Sequence, residues 1–158
     1  MVIIEEEIKI KPFANKEELV KFLNKLHAKK LYDVIEVDYY YQHPCRDFAL
    51  TDEALRIRVV QGKSFSKYIL TYKGPRLSKE GVKKREEIEL SIEDPGKVDR
   101  LLSKLGFKKV ATITKKRSYY RIQKCLVSVD EVKELGLFME IECSSNEIKT
   151  ILSKMDIR

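Results

Sequence analysis

The sequence predicts an α+β fold in which an eight-stranded antiparallel sheet is covered by amphipathic helices. Three observations predict it. Short runs with alternating apolar and charged residues recur along the whole chain. Most are joined by connections too short for parallel crossovers. Two strongly amphipathic helical stretches each need an apolar sheet face to cover. With 158 residues, 43% of them hydrophobic, a single domain over residues 1–158 with a real core is expected. On these grounds alone the sheet closes as a sandwich or as a barrel.

The first strand spans about residues 2–11, and Pro12 ends it. Asn15 then caps a helix of about 16–29, with Leu19, Phe22, Leu23 and Leu26 on one face. A Val-, Ile- and Tyr-rich strand follows at 33–42, and residues 43–52 read as a loop. Strands near 53–60 and 66–73 flank a turn containing Gly62, and another spans 83–92. Asp94-Pro95 opens a helix to about 104, with Gly106 just past its end. Strands near 107–120, 122–130 and 137–143 come next, and Ser145 or Asn146 caps a short last helix. The apolar sheet face beneath the helices carries Ile4, Ile8, Ile10, Leu55, Ile57, Val59, Ile88 and Leu90, with Glu6 as the exception on the first strand.

Composition narrows the function classes. The net charge is +7, from 32 Lys+Arg against 25 Asp+Glu, which points to an anionic partner. No aromatic RNA-recognition motif, zinc finger or glycine-rich phosphate loop is present. No apolar run is long enough to span a bilayer. Cys45, Cys125 and Cys143 are widely spaced and form neither a zinc motif nor a disulfide framework, so a reducing cytoplasm is the expected compartment. Lys and Glu enrichment without Trp accords with a thermophilic source.

The faces opposite the apolar one carry the chemistry. Glu5, Glu7, Lys9 and Lys11 share one side of the first strand. Arg56 and Arg58 share another, Lys73 ends its strand, and Arg85, Glu87 and Glu89 alternate on the next. Lys115 and Arg117, then Ser128 and Asp130, then Glu140 and Glu142 repeat the pattern. One such strand is ordinarily a solvated face. That reading weakens when nearly every strand carries the pattern, and in a closed barrel these groups would line the lumen. The acids suit a hard cation, Mg²⁺ or Mn²⁺ rather than zinc, and the bases suit a run of phosphates. His43 reads as a packing residue, and Tyr39, Tyr40 and Tyr41 as strand aromatics.

Glu5-x-Glu7-x-Lys9 resembles the E-x-E-x-K motif of the CYTH superfamily, the triphosphate tunnel metalloenzymes. The resemblance continues through Asp52-Glu53-Ala54-Leu55-Arg56-Ile57-Arg58, Tyr72-Lys73-Gly74, Lys115-Lys116-Arg117, Val129-Asp130 and Glu140-Ile141-Glu142. The loop His43-Pro44-Cys45-Arg46-Asp47-Phe48 is most similar to the class IV adenylyl cyclase-like branch. The resemblance implies a closed eight-stranded antiparallel β-barrel, a triphosphate tunnel with helices packed on the outside. Leu137 stands where many relatives have a polar residue, and the chain stops at Arg158, where longer relatives carry a segment that covers one mouth. A more open tunnel is therefore expected.

The resulting expectation is a metal-dependent triphosphatase acting on tripolyphosphate or a nucleoside or organic triphosphate. Glu5, Glu7, Asp130, Glu140 and Glu142 would hold Mg²⁺ or Mn²⁺, with Glu87 and Glu89 in support. Lys9, Arg56, Arg58, Lys73, Arg85, Lys115 and Arg117 would hold the substrate, and Lys9, Glu5 and Glu7 would take part in the chemistry. Lys11 and Arg85 lie toward the mouths. The partner is a triphosphate-containing small molecule, with no membrane or nucleic-acid partner and a homodimer left open. Two rivals are adenylyl cyclase activity and a non-catalytic binder of polyphosphate or RNA 5′-triphosphate ends.

Overall fold

Period-two alternation gives each strand a charged side and an apolar side, and a sheet with two such faces can bury both only by curling shut with helices outside. The computed structural model describes residues 2–11, 13–77 and 81–155. Its elements run β1 (Val2–Ile10), α1 (Lys16–Lys25), β2 (Lys29–Gln42), α2 (Phe48–Thr51), β3 (Ala54–Gln61), β4 (Ser66–Lys73), β5 (Lys83–Ser91), α3 (Pro95–Lys104), β6 (Lys108–Ile122), β7 (Cys125–Val132), β8 (Gly136–Glu142) and α4 (Ser145–Ser153). The strands close into a barrel in the order β1-β5-β4-β3-β2-β6-β7-β8. Every pairing is antiparallel. Strand β1 is the seam: it pairs with β5 from Val2 to Glu7 and with β8 from Glu7 to Ile10. Among the described residues, no helix is long and apolar enough to cross a membrane.

The apolar core lies outside the barrel wall, in two patches. Leu19 and Leu23 of α1 and Ile148 and Ile151 of α4 pack on Val127, Val129, Met139 and Ile141 of β7 and β8, with Ile8 and Ile10 at the margin. Leu102 of α3 packs on Tyr41 and Ile57, with Leu55 and Leu70 beside them. The expected apolar face is thus covered only in these two arcs. Ile4 and Leu90 remain 52% and 53% exposed, because β1's first half and β5 lie between the arcs and no helix reaches them.

Glu6, the charge on that outer face, holds α4 to the barrel. Its Oε2 accepts from the Ser145 backbone N–H at 2.6 Å and the Ser145 hydroxyl at 2.9 Å. The cap of α4 is Ser144 rather than Ser145 or Asn146, in a capping box with Glu147.

Three further corrections have local causes. Helix α1 ends at Lys25, not near 29, and β2 begins four residues earlier than expected. The stop is a Schellman turn: His27 takes a left-handed φ of 56°, and the Ala28 and His27 amides return to Leu23 and Asn24. Helix α3 ends in the same way, but with Gly106 at the left-handed position (φ 91°). Within residues 43–52, Asp47 caps the four-residue helix α2. Cys125 and Cys143 form a disulfide. Their separation of 18 residues hid the pairing, because the β7–β8 register that sets Leu126 opposite Glu142 also brings these two residues face to face.

Candidate active site

The inward parity of the strands encloses a cavity of about 500 Å³. Lining it are Glu5, Glu7 and Lys9 from β1, Arg56 and Arg58 from β3, Lys73 from β4, and Arg85, Glu87 and Glu89 from β5. Lys115 and Arg117 from β6 and Glu140 and Glu142 from β8 complete the set. Lys11 is exposed at the barrel end, its ammonium 5.5 Å from the Phe138 ring. Arg85 spends two donors on structure, bonding the Gly74 and Asp52 carbonyls at 2.8 Å each.

The charges separate by arc. On β3 and β6, Arg58 and Arg117 each carry a buried carboxylate behind them. Asp38 takes Arg58 at 2.6 and 2.8 Å, and Asp130 takes Arg117 through two contacts of 2.6 Å. Asp130 is fully buried, so both its oxygens serve Arg117. Glu140 bridges the arcs, 2.9 Å from Arg117 and 3.0 Å from Lys9. These cations outweigh its burial and hold its carboxyl well below the usual range. Between the two arginines sits Lys115, no closer than 3.7 Å to Glu36, Asp38 or Asp130. Burial first, then repulsion from Arg58 and Arg117, lowers its pKa to about 8. Arg56 is only 6% exposed, its Nε has no hydrogen-bond partner among the described residues, and its guanidinium lies 3.5 Å from the Thr71 hydroxyl within the electrostatic reach of Glu87 and Asp38. A buried guanidinium donor left without a hydrogen bond is costly unless an acceptor joins it.

The facing arc, β8-β1-β5, has the reverse problem. Glu7 lies opposite Glu142 across the β1–β8 seam, and Glu5 hydrogen-bonds Glu87. Burial and then that bond push the Glu5 carboxyl up to about 10, against the pull of Lys73. Burial, followed by repulsion from Glu7, Glu87 and Glu140, raises Glu142. Lys73 pairs with Glu87 at 2.5 Å, so the carboxylate excess of this arc falls on Glu5, Glu7 and Glu142. The donors are all oxygen, which fits a hard divalent cation. Among the described residues the one trio of Cys, His, Asp or Glu donors within 4.8 Å of one another is Cys125, Cys143 and Glu147 outside the barrel, where the sulfurs are bonded to each other. The lumen acids are a looser set, suited to an ion that also takes oxygens from its ligand.

The CYTH domain family model matches residues 4–157. The chain belongs to the CYTH domain family. A Methanocaldococcus jannaschii protein named as a candidate adenylate cyclase is 44% identical over 145 residues, which cover 92% of this chain and 79% of that one. The solved structure of a Pyrococcus horikoshii protein superposes with a TM-score of 0.84 at 37% identity, covering 96% of this chain and 91% of that one. A Hippeastrum protein shares the fold, with a TM-score of 0.69, 22% identity and coverage of 94% and 84%.

The CYTH lumen also holds residues that the sequence reading missed. Glu36 and Asp38 of β2 are each 1% exposed and face Arg58. Their alternation with Ile35 and Val37 is the signal that marked the other strands, but the neighbouring Tyr39-Tyr40-Tyr41 run drew the strand toward an aromatic reading. Tyr40, Lys67 and Lys83 also line the cavity, beside Tyr119, whose place on the same face of β6 as Lys115 and Arg117 follows from the alternation. Tyr41 points outward to Asp99 at 2.5 Å. His43 packs between Phe48 and Phe107, as expected.

Proposed function

We propose that this CYTH protein is a triphosphatase, using Mg²⁺ or Mn²⁺ to hydrolyse a phosphoanhydride bond of a triphosphate held in the lumen. The observation that carries this is Arg56. A buried guanidinium with an unpaired Nε, next to the crowded Arg58, Lys115 and Arg117, is a cation cluster awaiting a polyanion. Phosphate oxygens would take the free guanidinium donors, and Asp38 and Asp130 would keep Arg58 and Arg117 aimed inward. Glu5, Glu7 and Glu142 would hold the divalent ion, with Glu140 and Glu87 beside them and Lys9 steadying Glu140. When bound, that ion supplies charge neutralisation at phosphate oxygens and activation of water. Fixed charges that need no rearrangement suit phosphoryl transfer, which depends mostly on placement and electrostatic stabilisation. The Hippeastrum relative is named as a candidate adenylyl cyclase with a dominant triphosphatase activity, which supports this choice.

Cyclisation of ATP would also require the ribose 3′-oxygen to be aimed at the α-phosphorus. Hydrolysis requires only phosphate grip and a water, and grip is what the lumen walls supply. The test is incubation with tripolyphosphate or ATP and Mg²⁺ or Mn²⁺. Orthophosphate release is expected, together with its loss in Glu7→Gln at unchanged melting temperature. Cyclic AMP as the main product overturns the hydrolase reading. Tight tripolyphosphate binding without metal-dependent turnover makes the protein a binder.

A further inference from the structure

The two mouths of the cavity differ in chemistry. Near the end where β3 begins and β4 ends, the wall presents Lys73, Lys83 and Arg85. At the other end, where the β3–β4 turn folds over and β2 starts, it presents Tyr32, Phe65 and Tyr119. The Tyr32 ring lies 4.9 Å from Tyr119 and 6.1 Å, edge-on, from Phe65. Tyr32 is nonetheless 45% exposed. Two features hold this collar. A Cβ on Gly62 would lie 2.3 Å from the Phe65 ring, so only glycine lets that ring rest where it does. The Tyr119 hydroxyl donates to Glu36 at 2.9 Å and lies 3.4 Å from Arg117, which ties the collar to the cation cluster. Lys67 adds an ammonium 5.4 Å from the Phe65 ring centre.

Three rings opening onto a channel lined by Arg58, Lys115 and Arg117 form a stacking platform continuous with a cationic wall. We infer that this collar binds a planar aromatic ring carried on the triphosphate. The substrate is then an organic triphosphate, ring at the Tyr32 mouth and phosphates inward, in preference to bare tripolyphosphate. Among the described residues the other mouth offers Tyr40 and Phe138, and the Phe138 ring faces the Lys9 and Lys11 ammoniums at 5.7 and 5.5 Å, which makes it the poorer platform. This inference rests on the triphosphatase reading.

The experiment compares steady-state kinetics for ATP, thiamine triphosphate and tripolyphosphate in the wild type, Tyr32→Ala and Phe65→Ala. Loss of a stacking ring is expected to raise KM for at least one aromatic triphosphate roughly tenfold, with tripolyphosphate kinetics unchanged. Unchanged tripolyphosphate turnover also shows that the variants fold, and the pattern across ATP and thiamine triphosphate identifies which ring fits. Equal losses on all three substrates, or no loss on either aromatic one, overturn the inference. If the wild type hydrolyses none of them, the hydrolase reading fails. Equilibrium binding of ATP and thiamine triphosphate then decides the collar: weaker affinity in Tyr32→Ala for either supports it, and equal affinity for both rejects it.

Discussion

Arg117 and Asp130 face each other across β6 and β7 through two parallel contacts, Nε to Oδ1 and Nη2 to Oδ2, both 2.6 Å long. Asp130 is fully buried, and Arg117 keeps a 6% exposed side chain at the cavity wall. Arg58 and Asp38 repeat the arrangement on β3 and β2. Such a pair fixes a planar guanidinium at a set angle, which a lone arginine on a lumen wall would not hold.

Asp130→Asn should therefore act through Arg117. Breaking a buried pair leaves an uncompensated charge and should destabilise the fold by about 3–5 kcal/mol, read as a drop in melting temperature. Substrate affinity should fall, while the Mg²⁺ concentration giving half-maximal activity should stay at the wild-type value. A large rise in that concentration would make Asp130 a metal ligand instead.

Lys115 should trade stability for binding. Its folded pKa of about 8 lies below the ordinary 10.5. Between those values the unfolded chain keeps a proton that the folded one has shed, so stability rises with pH there. Lys115→Met should melt higher than the wild type at pH 7 in the absence of ligand, and the gap should narrow above pH 8. The same variant should bind tripolyphosphate more weakly. In the wild type, calorimetry in buffers of different ionisation enthalpy should detect proton uptake on binding near pH 8–9.

The contact between Glu6 and α4 sets a second pH dependence. The Ser145 hydroxyl, then Lys84, hold the Glu6 carboxyl below its usual 4.5. The folded value being lowered, its contribution is complete above 4.5 and vanishes as pH falls through the lowered value. Glu6→Gln should cost about 0.5–1 kcal/mol near neutral pH, with wild-type and variant melting temperatures converging toward pH 3.

His27→Gly should stabilise the protein. The left-handed φ of 56° is unfavourable for a residue with a Cβ, and relief of that strain exceeds the extra chain entropy by about 0.5–1 kcal/mol. Chemical denaturation should show a higher midpoint with an unchanged slope.

The alternation of charged and apolar residues made most of the barrel readable, because one parity had to face in and the other out. Glu5, Arg56, Lys115 and Glu140 were found that way. What escaped depended on register or on an unusual residue in a usual place. The Cys125–Cys143 link needs the β7–β8 pairing to be known. The end of α1 was hidden because histidine stands where α3 has Gly106. Glu36 and Asp38 carried the right pattern, but beside a tyrosine run that seemed to explain the strand. Ile4 and Leu90 were assigned a helical cover because alternation says which side faces out, not where a helix will lie.

Because β1 is gripped on one edge by β5 and on the other by β8, the barrel's first strand waits for its eighth. Glu5 and Glu7 cannot meet Glu142 until the chain through β8 has left the ribosome. Pairings this distant in sequence close slowly, so the lumen is a late product of folding. A nascent chain lacking its final hairpin presents an open sheet with no enclosed place for a polyanion.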